Sequence, residues 1–176
     1  MKNLRDLEIN DLKKLLEEMG EKPFRAKQIY TWLHQNLVEH YDEMTNISKG
    51  LRDRLSAEYS VALPETVEVL TSKIDGTKKF IFRMQDGHVI ESVWMEYQHG
   101  HSVCISSQVG CRMGCKFCAS TLDGLARNLT SGEMLGQIYQ IQRTTGARVD
   151  NIVIMGSGEP LDNYDEFTRF IRMISD

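Results

Sequence analysis

VCISSQVGCRMGCKFCAS, residues 103–120, holds all four cysteines of the chain. Cys111, Cys115 and Cys118 follow a C-x3-C-x2-C spacing, with Phe117 just before the last, and Cys104 stands upstream of the run. Thiolates are soft ligands suited to iron–sulfur clusters, zinc or Cu(I). Three of them on a short loop suit a [4Fe–4S] cube whose fourth iron lacks a protein ligand and stays open to a small molecule. A structural zinc site wants four ligands in a closed tetrahedron, and a ferredoxin-type cluster wants four cysteines. Two other readings stay open on the residues alone. Cys104 can complete a zinc site, or the four thiols can be unrelated buried side chains. Gly110, Arg112, Gly114 and Lys116 make the stretch a polar, flexible loop, which disfavours the second. Clustered cysteines without a signal peptide argue against a disulfide framework.

Downstream, Thr130-Ser-Gly-Glu133 has the hydroxyl and carboxylate spacing of a capping box. It predicts a helix carrying Met134, Leu135, Ile138 and Ile141 and closed by Gly146. Asn151–Met155, NIVIM, reads as a short strand buried in a parallel sheet. Gly156-Ser-Gly-Glu-Pro160 follows, and then a helix over Tyr164–Ile174. Strand, helix, strand, helix is the βα repeat of an α/β barrel or open sheet. Glycines at the carboxyl end of such a strand permit close backbone approach to a ligand, although a Gly-rich turn alone is equally often only a turn.

Upstream, His101–Gln108 reads as a strand leading into the cysteine loop. Before it come three β-rich runs, Thr66–Ile74, Thr77–Met84 and His88–Tyr97, separated by Asp75–Gly76 and Asp86–Gly87. Asp-Gly between such runs is a strong hairpin signal, so a β-meander is expected. Lys73, Lys78, Lys79 and Arg83 form either a basic patch on its open face or an ordinary solvated strand face. If Ile90 faces solvent, Glu91 points inward and its carboxylate must be paired or raised in pKa. A register shifted by one leaves Glu91 exposed.

The first 60 residues read as helical. Asn10 is the expected cap of a helix with Leu12, Leu15, Leu16 and Met19 on one face and Gly20 at its end. Pro23 suits the first position of a helix Pro23–Gln35 with Phe24, Ile29, Trp32 and Leu33 as its apolar side. Ser48 would cap a third helix carrying Leu51, Leu55 and Tyr59. Lys22, Arg25, Lys27 and His34 lie near Glu17, Glu18 and Glu21, so no clean basic stripe results. These helices read most simply as a packing or oligomerisation module. With net charge −4 over 176 residues, composition points to a globular chain and gives no support for phosphate-backbone binding. No run of 18 apolar residues or signal peptide is present, which places the chain in the cytoplasm without a membrane partner.

CISSQVGCRMGCKFCAS, then LARNLTSGEMLGQI, then GSGEPLDNYDEF, together with FRAKQIYTWLHQ near the amino terminus, resemble the RlmN/Cfr family of radical S-adenosylmethionine (SAM) enzymes. That family methylates adenosine in 23S rRNA and tRNA. The resemblance implies an α/β fold with a helical accessory domain that engages RNA (1–62), a β-meander (63–100) and the first βα units of a partial TIM-like barrel (101–176). It implies that Cys111, Cys115 and Cys118 hold a [4Fe–4S] cluster with one open iron, and that Gly158 and Glu159 contact SAM. The match of VIESVWM assigns Glu91 as proton acceptor and therefore favours its inward register. Cys104 is implied as the partner in a transient disulfide. The implied reaction is methylation of C2 of adenosine 2503 in 23S rRNA and adenosine 37 in tRNA, with a flavodoxin-like electron donor and a monomeric enzyme. The methyl-carrying cysteine and the later barrel strands of the family have no counterpart among these residues. An incomplete and inactive fragment is therefore expected. The alternatives are the sister enzyme that methylates C8, and a zinc-binding module that docks RNA or protein without catalysis.

Overall fold

Leu12 and Leu16, one helical turn apart, are both fully buried and set the inner stripe of the first helix, α1 (Ile9–Glu18). Its amino-terminal cap is Glu8 rather than Asn10. The apolar stripe begins at Ile9, so the helix starts earlier than the polar Asn10 indicates. Gly20 follows the helix with φ +76°, and the Glu21 amide closes onto the Leu16 carbonyl. Helix α2 (Phe24–His34) buries Ala26, Ile29 and Leu33. Phe24 is half exposed instead of lying on this apolar side, and Trp32 is only partly buried. Helix α3 (Lys49–Glu58) buries Leu51 and Leu55, while Tyr59 has already left the helix.

The computed structural model describes residues 1–175 and divides the chain after Leu63. The ends of the first unit are joined by two short parallel strands, β1 (Lys2–Asn3) and β2 (Tyr59–Ser60). Arg5 is fully buried there and donates to the carbonyls of Val38 and Val61. A buried guanidinium is tolerated because both of its terminal nitrogens meet carbonyl oxygens.

The second unit is built on one five-stranded sheet in the order β3–β4–β5–β6–β9. The strands are β3 (Glu65–Thr71), β4 (Lys78–Arg83), β5 (Val89–Tyr97), β6 (Gly100–Cys104) and β9 (Asn151–Val153). Gly76 and Gly87 carry φ of +75° and +88° in the two hairpin turns, as the Asp-Gly pairs predict. The first four strands are antiparallel, and β9 joins β6 in parallel. Between β6 and β9 run a two-stranded ribbon, β7 (Gln108–Gly110) with β8 (Leu125–Asn128), and helix α4 (Ser131–Thr145). Helix α5 (Tyr164–Ser175) follows β9 and packs against α4.

Side chains alternate between the two faces of a sheet. One face carries Phe80, Phe82, Ile90, Ser92, Trp94 and Val103, all buried. Ser92 Oγ donates to Gln137 Oε1 at 2.8 Å, which places α4 over this face. The other face carries a row in register across all five strands: Leu70, Lys79, Val93, Cys104 and Val153. β9 is shorter than the apolar run NIVIM and lies at the sheet edge. It is therefore not the buried strand expected: Val153 is 41% exposed and Met155 81%.

Candidate metal and cofactor site

The cysteine loop is the connection between β7 and β8. Gly110 (φ +73°) and Gly124 (φ +69°) pinch its base. A Cβ on Gly110 would lie 2.0 Å from the Gly124 carbonyl oxygen, so no larger residue fits. The Cys111 amide donates to that same carbonyl at 3.0 Å. Higher in the loop, the Cys118 amide donates to the Cys115 carbonyl, and Thr121 Oγ1 donates to the carbonyl of Cys118 at 2.9 Å. All four cysteines are free thiols: Cys111 buried, Cys115 exposed, Cys104 and Cys118 intermediate. Phe117 is 94% exposed, so the loop has no apolar core of its own. Among the described residues no three His, Cys, Asp or Glu side chains are gathered tightly enough to hold a metal ion. The donor set nevertheless fits a soft centre. The loop from Cys111 to Cys118 offers three thiols and no carboxylate or imidazole.

Gly156-Ser-Gly-Glu-Pro160 begins just beyond β9 and lies against the exit of β6. The Gly156 amide donates to the Ile105 carbonyl at 3.0 Å, and the Ser107 amide to the Ser157 carbonyl at 2.9 Å. A Cβ on Gly156 would meet Ser106 Oγ at 2.7 Å and the Ile105 oxygen at 2.8 Å. One on Gly158, where φ is +105°, would meet Gln108 Cβ at 2.6 Å. Both glycines thus have a structural cause in the packing of two chain segments. Glu159 caps the 3-10 turn Pro160–Asn163, its Oε1 accepting from the Leu161 amide at 3.0 Å.

Two side-chain links join the cysteine loop to this segment. Ser120 Oγ lies 3.1 Å from Ser157 Oγ. Arg112 donates to Asp162 Oδ1 through Nε at 3.1 Å and also through Nη2. The guanidinium beside Asp162, helped by Gln108, holds this carboxyl below the usual carboxylate range. Gln108 is fully buried and uses both ends of its amide. Nε2 donates to Asn128 Oδ1 at 2.8 Å and Asp162 Oδ2 at 3.0 Å, while Oε1 accepts from the Glu159 amide at 2.9 Å. Asn163, also buried, donates to the carbonyls of Ser107 and Leu129. Sequence reading missed Gln108, Asp162 and Asn163. The signal was the polar run Ser106-Ser107-Gln108 between β6 and the cysteine loop, since most buried polar groups are hydrogen-bonded.

Glu91 does not point inward. Ile90 and Ser92 are buried and Glu91 faces the open side of the sheet, its carboxylate 54% exposed. The alternation is fixed by Phe80, Phe82 and Trp94, which require the even-numbered positions of β5 to face α4. Lys79 Nζ stands 2.7 Å from Glu91 Oε2. Lys78 and Arg83 likewise face carboxylates, Glu96 at 3.8 Å and Glu65 at 2.9 Å. Lys78, Lys79 and Arg83, three of the four cations read as a possible basic patch, therefore stand in ion pairs. The sheet register still brings two predicted residues together: Val93, two residues from Glu91, pairs with Cys104. Glu91 and Cys104 therefore share the open face on adjacent strands.

Comparison with known proteins finds similarity to one family along the chain. A family model described as the ribosomal RNA large subunit methyltransferase N-terminal domain matches residues 2–61. The chain is 60% identical over 173 residues to a probable dual-specificity RNA methyltransferase RlmN of Lachnoclostridium phytofermentans, covering 98% of the chain and 49% of that relative. It is 52% identical over 176 residues to the protein of the same name from Lachnospira eligens, covering 100% of the chain and 50% of the relative. The crystal structure of a radical SAM methyltransferase from Sphaerobacter thermophilus superposes with a TM-score of 0.92 at 38% identity, covering 100% of this chain and 52% of that one. The chain thus spans about half the length of the relatives it matches. Along its whole length it is a homologue of the RlmN-type radical SAM RNA methyltransferases, an enzyme family whose N-terminal domain it carries at residues 2–61.

Proposed function

We propose that this chain provides the cluster-binding and SAM-binding half of a radical SAM RNA methyltransferase acting on C2 of adenosine in 23S rRNA and tRNA. The observation that carries the reading is the joining of a three-cysteine loop to a Gly-Ser-Gly-Glu-Pro turn through Arg112–Asp162 and Ser120–Ser157. The relatives' names supply the RNA and the reaction class. Cys111, Cys115 and Cys118 would hold a [4Fe–4S] cluster. When bound, the cluster supplies the electron that cleaves the sulfonium of SAM.

The chain's own residues do the rest. Gly158 and Glu159 take the amino group of SAM. One oxygen of Glu159 is committed to its turn, and the carboxylate keeps a second for the ammonium. Glu91 is the base that accepts a proton from the substrate carbon, and Lys79 Nζ, 2.7 Å from Oε2, orients its carboxylate. Cys104, on the same sheet face, would attack the sulfur of a cysteine outside these 176 residues that carries the methylene group bound to the substrate: the S–S bond forms as that S–C bond breaks, and the bonding pair leaves with the product carbon, which takes up a proton. A flavodoxin-like protein delivers the electron, and the helical unit engages the RNA.

The test is methyl transfer by the intact protein from labelled SAM to 23S rRNA and tRNA fragments, with mass spectrometry of the product nucleoside. Methyl at C2 is expected. Methyl at C8 would move the assignment to the sister reaction, and an unmodified RNA in the presence of a loaded cluster would overturn it. A polypeptide of residues 1–176 alone is expected to transfer none.

A further inference from the structure

Arg112 is mostly exposed, and a lone exposed ion pair contributes little to stability. Its partner is different. The Asp162 side chain is only 11% exposed and is held from behind by fully buried Gln108. Gln108 in turn holds the Glu159 amide, and Glu159 caps the turn that carries Asp162. A short chain of charged and amide hydrogen bonds therefore runs from the residue beside Cys111 to the backbone of the Gly-Glu-Pro turn. Its far end is fixed by burial, so the network constrains position more than it adds stability.

We propose that Arg112 is a positioning residue, which through Asp162 and Gln108 sets the cysteine loop against residues 156–160 and so couples ligation by the cysteines to SAM binding at the turn. The coupling clause rests on the function proposed above, whereas the tie itself does not. Breaking the tie frees the loop to sit at several distances from the turn. On the proposed function SAM would draw on both the cysteine loop and the turn, so its affinity would fall even where all three cysteines stay ligated. A merely structural Arg112 would instead lower iron retention and SAM binding together.

Two measurements on the intact protein decide this. Hydrogen exchange on metal-free protein, comparing wild type with Arg112→Met, Arg112→Lys and Asp162→Asn, reads the tie. Faster exchange at the Glu159 and Leu161 amides is expected in Arg112→Met and Asp162→Asn, with partial recovery in Arg112→Lys. A change confined to residues 111–118 would overturn the proposal. In protein reconstituted with iron and sulfide, Arg112→Met is expected to bind SAM about tenfold more weakly, a typical coupling magnitude, at unchanged iron content. Equal SAM affinity at equal iron, or a parallel loss of both, would overturn the coupling. If the wild type takes up no cluster, the proposed function fails, while the exchange result still decides whether the tie exists.

Discussion

At Gly158 the backbone φ is +105°, and the site a methyl group would occupy lies 2.8 Å from the Gln108 backbone nitrogen. Both backbone conformation and space exclude a side chain. Gly158→Ala is expected to lower the stability of the second unit by about 2–4 kcal/mol, combining strain at a glycine-only φ with overpacking. Urea unfolding followed by Trp94 fluorescence reads it. The glycine was legible in the sequence as special, but the segment pressed against it was not, because Gln108 lies 50 positions earlier in the chain. Glu91 shows the same limit. Its register depends on Phe80, Phe82 and Trp94 choosing one sheet face, a decision made by packing with α4 and not by local pattern. In the first unit, His34 is half-buried against Tyr30, ring centroids 4.2 Å apart, and desolvation of its ring together with nearby Arg5 lowers its pKa from 6.5 to about 3. The fold therefore favours the neutral ring. Between pH 6.5 and about 3 the unfolded chain binds the extra proton, so stability is complete above pH 6.5 and falls as the pH drops, by at most about 1.4 kcal/mol per unit. Hydrogen exchange of the α2 amides at pH 7 and pH 5 should show this loss, and His34→Leu should flatten it.

At the scale of elements, α4 is the part most plainly written in the sequence. Thr130 Oγ1 accepts from the Glu133 amide at 3.2 Å, Glu133 Oε2 accepts from the Thr130 amide at 3.0 Å, and Gly146 ends the helix at φ +70°. Those are local interactions, and local interactions can be read locally. What α4 does for the site was not readable. Gln137 Oε1 accepts from the Ser106 amide at 2.9 Å and its Nε2 donates to the Ser106 carbonyl at 2.9 Å, a two-way bond to the strand exit below the cysteine ribbon. Ser106 is fully buried. Gln137→Leu is expected to orphan both groups and the Ser92 hydroxyl, at a cost of about 1–3 kcal/mol for each one left unsatisfied. The expected signature is a lower urea midpoint and faster exchange at Ser106 and Ser107. Unchanged protection at Ser106 would show that water or a shifted neighbour replaces the amide. The strand β9 is parallel and lies at an apolar edge, as its sequence position indicates, but its burial was not legible: an apolar run of its length fits a buried strand or a sheet edge, and only the neighbouring strands distinguish the two.

On the scale of the whole molecule, each unit has its own core, with Leu12, Leu16, Ile29, Leu33, Leu51 and Leu55 in the first and Phe80, Phe82, Trp94, Val103, Leu135 and Ile138 in the second. The sequence already separated a helical first part from an α/β second part, because periodicity changes from helical to alternating near Pro64. It did not show that the meander and the strand before the cysteine loop belong to one sheet, since the two-residue turn Gln98-His99 that joins β5 to β6 lacks the Asp-Gly signature of the other two turns. The sheet is what gives the proposed site its order. It sets Glu91 and Cys104 on one open face and leads from Cys104 to the ribbon that carries the other three cysteines. No helix among the described residues is long and apolar enough to cross a membrane. The central claim is that Cys111, Cys115 and Cys118 alone hold a cluster with one iron open to SAM. The most direct measurement is electron paramagnetic resonance of the reduced protein after anaerobic reconstitution with iron and sulfide, with and without SAM. The account predicts a [4Fe–4S]⁺ signal that shifts on adding SAM and survives Cys104→Ala. A folded protein that shows no such signal and retains zinc only while Cys104 is present would contradict it.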